Sequence, residues 1–255
     1  MTKKVCLITG GAGFLGQRYC EYFLSKNYKV ICVDNNAKNL KKIKSFNLDD
    51  LKTFRCDISK ENEVKKLFKS INNSFFINVL INNAAIDAVP SKKKFLNSKY
   101  PTSQMWDKEL EVGLKGAYLM IKFFGEKMIE KKNGSIINIG SDLSVIAPNQ
   151  KIYKSSYKNY IKPVTYSVIK HGMLGLTKYF SSLYAEYNVR VNMISPGPVK
   201  NNQNKKLLKE LEGIIPMKRL GEANELLGLL NFLASSESSY ITGQNVLVDG
   251  GRTII

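Results

Sequence analysis

No apolar run in the chain approaches the roughly 20 residues that a membrane-spanning helix needs; the longest, at 5–9 and 75–81, are far shorter. The N-terminus enters an apolar stretch by Val5 without the apolar core and small-residue cleavage site of a secretory leader. Both absences point to a soluble protein of the cytoplasm. Cysteine is scarce: Cys6, Cys20, Cys32 and Cys56 are widely spaced, form no Cys-x-x-Cys pair, and three of them fall in expected strands. They read as buried thiols, neither zinc ligands nor disulfides, and no residue set reads as a metal site. Histidine occurs once; His171 follows Lys170 on an expected helix, about 100° around it, and reads as structural. Acidic residues are outnumbered, 21 against 39 basic ones, leaving a formal charge of +18. Such a balance raises nucleic acid or acidic membrane surfaces as partners. The excess is almost all lysine, 34 against 5 arginines, in an asparagine-rich chain. That fits codon bias better than an arginine-rich recognition surface, so neither nucleic acid nor membrane is expected as a partner.

What the chain does have is regular alternation. Apolar, β-rich runs near 4–9, 28–34, 51–56, 77–82, 134–140, 189–194 and 245–249 are separated by amphipathic stretches, the longest at 107–131 and 165–187. Strands alternating with helices imply an α/β fold, a doubly wound parallel seven-stranded sheet with helices on both faces, because each right-handed crossover returns the chain to the same sheet. With 255 residues, 44% of them hydrophobic, no repeats and no composition break, one domain over 1–255 is expected. Two irregular segments, 86–104 and 142–164, follow strand ends, where ligands bind in such sheets, and are candidates for a substrate lid.

Thr9-Gly10-Gly11-Ala12-Gly13-Phe14-Leu15-Gly16 joins the first strand to the first helix, the setting a dinucleotide-binding turn requires. Gly10 permits the tight turn, Gly13 lets the backbone approach a pyrophosphate, Gly16 allows close helix packing, and the phosphates meet the helix N-terminus. The second strand ends in Asp34, whose carboxylate can accept hydrogen bonds from ribose hydroxyls and repels a 2′-phosphate. With no Arg or Lys at 35 or 36, NAD(H) is favoured over NADP(H).

These motifs, with those that follow, make the whole chain resemble the short-chain dehydrogenase/reductase family, in its single-domain branch of about 250 residues with a Rossmann sheet. Cys56-Asp57-Ile58 resembles the segment that contacts the adenine ring there, so Asp57 and Ile58 join the cofactor set. Asn82-Asn83-Ala84-Ala85 resembles the family's motif after the fourth strand, with Ala85 in place of the usual Gly, and contributes Asn83 and Ala84. Pro196-Gly197-Pro198-Val199 resembles the loop that holds the nicotinamide carboxamide, through Pro196, Gly197 and Val199. Pro216 to Gly221, Ile241-Thr242-Gly243-Gln244 and Val248-Asp249-Gly250-Gly251 match the C-terminal part. Phe14 departs from the short branch, which normally has Gly there; Phe14 and Leu15 are nevertheless counted with the cofactor turn.

Tyr166-Ser167-Val168-Ile169-Lys170 sets a phenol and an ammonium one helical turn apart on one face. A nearby cation favours the phenolate, moving Tyr166 toward a working acid/base at neutral pH. The resemblance implies that Tyr166 exchanges a proton with the substrate oxygen while hydride moves to or from the nicotinamide, and that Lys170 bonds the nicotinamide ribose. It also implies a substrate-polarising serine at the end of the fifth strand, which Ser141 matches; Ser144 is the alternative. The family commonly carries an Asn in the preceding helix to anchor a water chain to the Lys, and Gly113 stands there instead. Gly in a helix interior costs about 1 kcal/mol relative to Ala, so helix stability does not explain it. Either a water fills the space or the proton leaves by another route, with activity retained.

The 24 residues between Ser141 and Tyr166 include Lys151, Tyr153, Lys154, Tyr157, Lys158, Tyr160 and Lys162, and the other lid segment adds Lys92, Lys93, Lys94 and Lys99. Basic, partly aromatic walls suit an anionic small-molecule substrate, such as a phosphorylated or nucleotide-linked sugar; solvent-exposed lysines from general lysine bias are the competing explanation. The segment resembles a branch tied to bacterial surface-sugar and flagellin modification. The alternatives are a 3-oxoacyl-carrier-protein reductase, against which Asp34 argues because that enzyme usually prefers NADPH, a polyol dehydrogenase, and a non-catalytic NAD-binding sensor or scaffold. The helices at 107–131 and 165–187 resemble those through which the family forms homodimers and homotetramers.

Overall fold

A computed structural model of the protein describes residues 3–44, 49–86, 100–157 and 160–255. Among these, seven strands form one parallel sheet: β1 (Val5–Thr9), β2 (Lys29–Asp34), β3 (Leu51–Arg55), β4 (Val79–Asn82), β5 (Gly134–Ile139), β6 (Val189–Pro196) and β7 (Asn245–Val248). Their order is β3-β2-β1-β4-β5-β6-β7, and every expected strand is present.

Helices cover both faces. Side chains along β1 alternate: Val5 and Leu7 join one buried cluster, Cys6 and Ile8 the other. The first cluster meets Val64 and Leu67 of α3 (Glu61–Asn72), together with Phe180 and Tyr184 of α8 (Val164–Tyr184). The second meets Tyr19 and Phe23 of α1 (Phe14–Ser25) and Ile43 of α2 (Ala37–Lys44). Burial on both faces explains why the strands read as near-continuous apolar runs.

The long helical pattern expected at 107–131 begins at Ser103 and is composite. It consists of α4 (Ser103–Leu110), α5 (Gly116–Met120) and α6 (Glu126–Lys131), joined by wider π turns at Glu111–Lys115 and Ile121–Gly125. Leu119 of α5 and Met128 of α6 complete the first cluster. Within the segment 142–164 lie a short 3-10 turn, Asp142–Ser144, and α7 (Gln150–Ser156). Ile152 and Tyr153 of α7 pack against Leu207 and Leu211 of α9 (Lys205–Gly213), and α10 (Leu227–Ala234) precedes β7. Asparagine side chains start both packed helices: Asn149 Oδ1 accepts from Lys151 N at 3.1 Å and Asn204 Oδ1 from Leu207 N at 2.7 Å.

All four cysteines are free and buried, and His171 is exposed, its Nδ1 2.9 Å from the Ser167 carbonyl oxygen. Among the described residues no helix is long and apolar enough to cross a membrane, and no group of three His, Cys, Asp or Glu is placed to hold a metal.

The chain leaves β1 toward β2 and returns later to β4 on the opposite side, so the connections diverge at the C-terminal ends of β1 and β4. In an open α/β sheet that divergence makes the ligand crevice. Thr9 holds its two sides together. It is fully buried; its Oγ1 accepts from Asn83 N at 3.1 Å and Ala84 N at 3.2 Å, and donates to Ile81 O at 3.4 Å. Thr9→Val keeps the shape but leaves those amides without their acceptor, and should lower the unfolding free energy by about 2 kcal/mol. Thr9→Ser should lose less than half of that; urea denaturation of the two variants gives the comparison, and equal losses would contradict the role of the hydroxyl.

Candidate active site

A cleft of about 570 Å³ opens where β1 and β4 part, within the roughly 300–1,000 Å³ usual for small-molecule sites. One half is made by the turn between β1 and α1. Gly10 has φ +60°, and a Cβ on it would stand 2.8 Å from the Ala84 Cα. A Cβ on Gly16 would lie 2.1 Å from the Gly10 carbonyl oxygen, which no side chain can tolerate. Gly16 therefore lies beneath the turn as a packing residue, while Gly10, Gly13, Phe14 and Leu15 face the cleft. Asn83 fastens the turn from the β4 side, its Nδ2 donating to the Thr9 and Gly10 carbonyls at 3.1 Å each.

The residues around this turn fit a dinucleotide. No side chain caps the N-terminus of α1 and its first turn carries no acid, so the positive end of the helix is left to an anion. Asp34 stands at the end of β2 with Oδ2 accepting from Ala12 N at 3.1 Å and Oδ1 from Asn36 N at 2.9 Å. Its carboxylate lines the cleft, whereas Arg55 on the neighbouring strand points its Nε to the Asn35 carbonyl at 3.3 Å and does not. Asp57, Ile58, Ala84, Pro196, Gly197 and Val199 line the same cleft. Asp57 is itself bound locally: its Oδ1 accepts from Ser59 N at 3.0 Å and Ser59 Oγ at 2.7 Å.

The other half carries a lysine, a tyrosine and a serine. Lys170 is 6% exposed, and its ammonium donates to the Ile139 carbonyl at the end of β5 at 2.9 Å. Tyr166, in the first turn of α8, has its ring centre 5.7 Å from that ammonium and 3.9 Å from the ammonium of Lys162. Ser141 follows β5 and caps the 3-10 turn: its Oγ accepts from Leu143 N at 3.2 Å and donates to Asp142 Oδ1 at 2.8 Å. Ser141, Tyr166 and Lys170 share the cleft wall. Ser144 does not; its hydroxyl is 3.0 Å from Ser195 Oγ, turned into a polar cluster with Asn245.

Two groups escaped sequence reasoning. Asp142 and Arg252 form an ion pair in the cleft wall, 3% and 5% exposed. Burial pushes the Asp142 carboxyl above its ordinary range, against the opposing pull of Arg252 and of hydrogen bonds from Ser141 and Leu143 N. Gly250 and Gly251, at φ +65° and +86°, hook the chain back to bring Arg252 there. A turn-forming glycine pair was the sole signal, and it gave no partner.

Gly113 lies in the first π turn, and a Cβ there would come within 2.8 Å of Ile169 Cγ2. Ile169, the residue before Lys170, thus stands where a side chain at position 113 would go. Of the described lid lysines one lines the cleft. Lys151 and Lys154 are exposed and do not line the cleft, whereas Lys162 does. Tyr153 is 9% exposed in the α7–α9 core, and Tyr160 packs edge-on against Tyr153 and Tyr157. Tyr153 and Tyr157 reach the cleft wall from that cluster. Lys92, Lys93, Lys94, Lys99 and Lys158 lie outside the described residues, as does most of 86–104.

Residues 13–253 match a family model described as enoyl-(acyl carrier protein) reductase. An NAD-dependent glycerol dehydrogenase of Listeria innocua is 30% identical, over 100% of this chain and 95% of its own length. The 3-oxoacyl-[acyl-carrier-protein] reductase FabG of Thermotoga maritima is 30% identical, over 98% of both chains. Among solved structures, a short-chain dehydrogenase from Leptospira borgpetersenii with bound NAD+ superposes with a TM-score of 0.84 at 31% identity, covering 99% of this chain and 94% of that one. ElxO with NADP bound shares the fold, with a TM-score of 0.85 at 24% identity over the full length of both.

The contact between Gly113 and Ile169 makes the two positions interdependent. Gly113→Asn should destabilise the protein by about 1–3 kcal/mol through overpacking. In urea denaturation the loss caused by Gly113→Asn should be smaller by about 1 kcal/mol in an Ile169→Ala background than in the wild-type protein; an equal loss in both backgrounds would show that Ile169 is not the obstacle.

Proposed function

Because the chain belongs to the short-chain dehydrogenase/reductase family, oxidoreductases of CH–OH groups that use NAD or NADP, we propose that it works with NAD(H) on a secondary alcohol or ketone. The substrate of this reading is a sugar or other anionic small molecule. Its main support is the arrangement of Ser141, Tyr166 and Lys170 on one wall of a cleft whose other end carries the glycine turn and Asp34. Asp34 supports NAD(H), since its carboxylate faces the cleft and would repel a 2′-phosphate.

When bound, the nicotinamide supplies or accepts the hydride. Tyr166 gives or takes the proton at its phenol oxygen, and Lys170, anchored on the Ile139 carbonyl, keeps a positive charge beside it that favours the phenolate. Ser141 holds the reacting oxygen against Tyr166. To do so its hydroxyl must leave Asp142, and that costs little: Oδ1 retains the Leu143 N–H at 2.8 Å and Oδ2 retains Arg252. Ile169 beside Gly113 is apolar and carries no proton, so in this scheme the proton reaches Lys170 by a route other than an asparagine at that helix position.

An anionic substrate is supported by Lys162 in the cleft wall. The exposed side chains Val168, Tyr179 and Leu183 of α8 and Tyr118 of α5 support a homodimer or homotetramer through these helices.

A panel of glycerol, other polyols, phosphorylated and nucleotide-linked sugars, and 3-oxoacyl thioesters, followed by NADH absorbance, tests the reading. At least one polyol or sugar should turn over, and Tyr166→Phe should lower kcat by about 10²–10⁴ while NADH still binds. Turnover of acyl thioesters alone would favour a carrier-protein reductase. Unchanged turnover in Tyr166→Phe would overturn the acid/base assignment, and unchanged cellular function without any turnover would point to a sensor.

A further inference from the structure

Lys162 stands on the lid, just before α8, with its ammonium nitrogen 3.9 Å from the centre of the Tyr166 ring. Its backbone is gripped from both sides by one side chain. Gln150 Oε1 accepts from Lys162 N at 2.9 Å, and Gln150 Nε2 donates to Lys162 O at 3.1 Å. Gln150 opens α7, which is seated on α9 through Ile152 and Tyr153. The position of this lysine is therefore built into the packed part of the lid. Two ammonium groups, those of Lys162 and Lys170, stand over the Tyr166 ring, and both residues line the cleft.

A cation within about 6 Å of an aromatic face is attracted by the electrons of the ring. The attraction is larger for a phenolate, which carries a full negative charge, than for a phenol. We propose that Lys162 is a positioning residue for the acid/base step, a second cation that the lid, through Gln150, sets on Tyr166 to favour its phenolate. The proposal rests on Tyr166 being the acid/base. It couples lid placement to proton transfer: a lid displaced from α8 takes the charge with it. The other described ionisable groups around Tyr166 are Lys170 on the same helix, Tyr157 on the lid, Glu109 of α4, bonded to Thr165, and Asp142 with Arg252, paired with each other in the same wall. The last pair neutralises itself, whereas the ammonium groups of Lys162 and Lys170 both stand over the Tyr166 ring.

The effect can be read without substrate. Near-ultraviolet absorbance reports phenolate formation, and subtracting the titration of Tyr166→Phe isolates Tyr166 from the other tyrosines. In the protein alone and saturated with NAD+, Lys162→Met, read against Lys162→Met/Tyr166→Phe, should move the Tyr166 titration up by about one pH unit from wild type, tenfold in the ionisation constant. Lys162→Arg, which keeps a cation over the ring, should restore most of that shift, and Gln150→Ala should produce part of it. Melting temperatures identify variants that no longer fold; should Lys162→Met be one, Lys162→Gln replaces it with the same expectation. An unmoved titration in a folded Lys162→Met protein overturns the proposal, as does a shift that Lys162→Arg fails to restore. Wild-type turnover in Tyr166→Phe would instead overturn the acid/base reading, and the titration would still decide whether Lys162 acts on the phenol.

Discussion

The close approach of three backbone segments at the head of β1 is the constraint on which the rest depends. At Gly16 the backbone of α1 meets the Gly10 carbonyl with room for a hydrogen only, and at Gly10 the turn meets Ala84 just as closely. Asn83 and Thr9 then tie the turn to β4 with side-chain hydrogen bonds. The result aims the uncapped N-terminus of α1 at the cleft and sets Asp34, held by Ala12 N, at its far end. In the proposed function, a helix end and a carboxylate fixed in this way would seat phosphates followed by a ribose.

The opposite wall is organised from β5. Ile139 at the strand's end anchors the Lys170 ammonium, and Ser141 two residues later starts the 3-10 turn. One strand end therefore fixes both the serine and the lysine, while Tyr166 follows from its place a turn before Lys170 on α8. The π turn containing Gly113 lets α8 and its Ile169 come close behind these groups. The phenol thus has an apolar side chain behind its helix and charged groups at its face.

Local pattern revealed the parts of this arrangement that obey short-range rules. The seven strands were legible because both faces of the sheet are buried, and the glycine turn because Gly10 has a left-handed backbone and Gly16 a contact too close for any side chain. Tyr166 and Lys170 were legible because they are one helical turn apart. What escaped detection depends on contacts between distant segments. Asp142 and Arg252 are 110 residues apart, and neither has a neighbour in sequence that announces the other. Gly113 signalled an absence, but only the packing of α8 against α4 and the following π turn identified Ile169 as what fills it. The aromatic cleft wall was legible in composition, and Tyr153 and Tyr157 line the cleft, yet α9 also takes Tyr153 into a core that no local periodicity marks.

The central claim is that the turn at 9–16 and Asp34 together hold a nicotinamide dinucleotide without a 2′-phosphate. Equilibrium titration of the protein with NADH and with NADPH, followed by nicotinamide fluorescence, tests it most directly. The account predicts that NADH binds at least about tenfold more tightly, a difference of ~1.4 kcal/mol, and that Asp34→Ala narrows the gap. Equal or tighter binding of NADPH by the wild-type protein would contradict it.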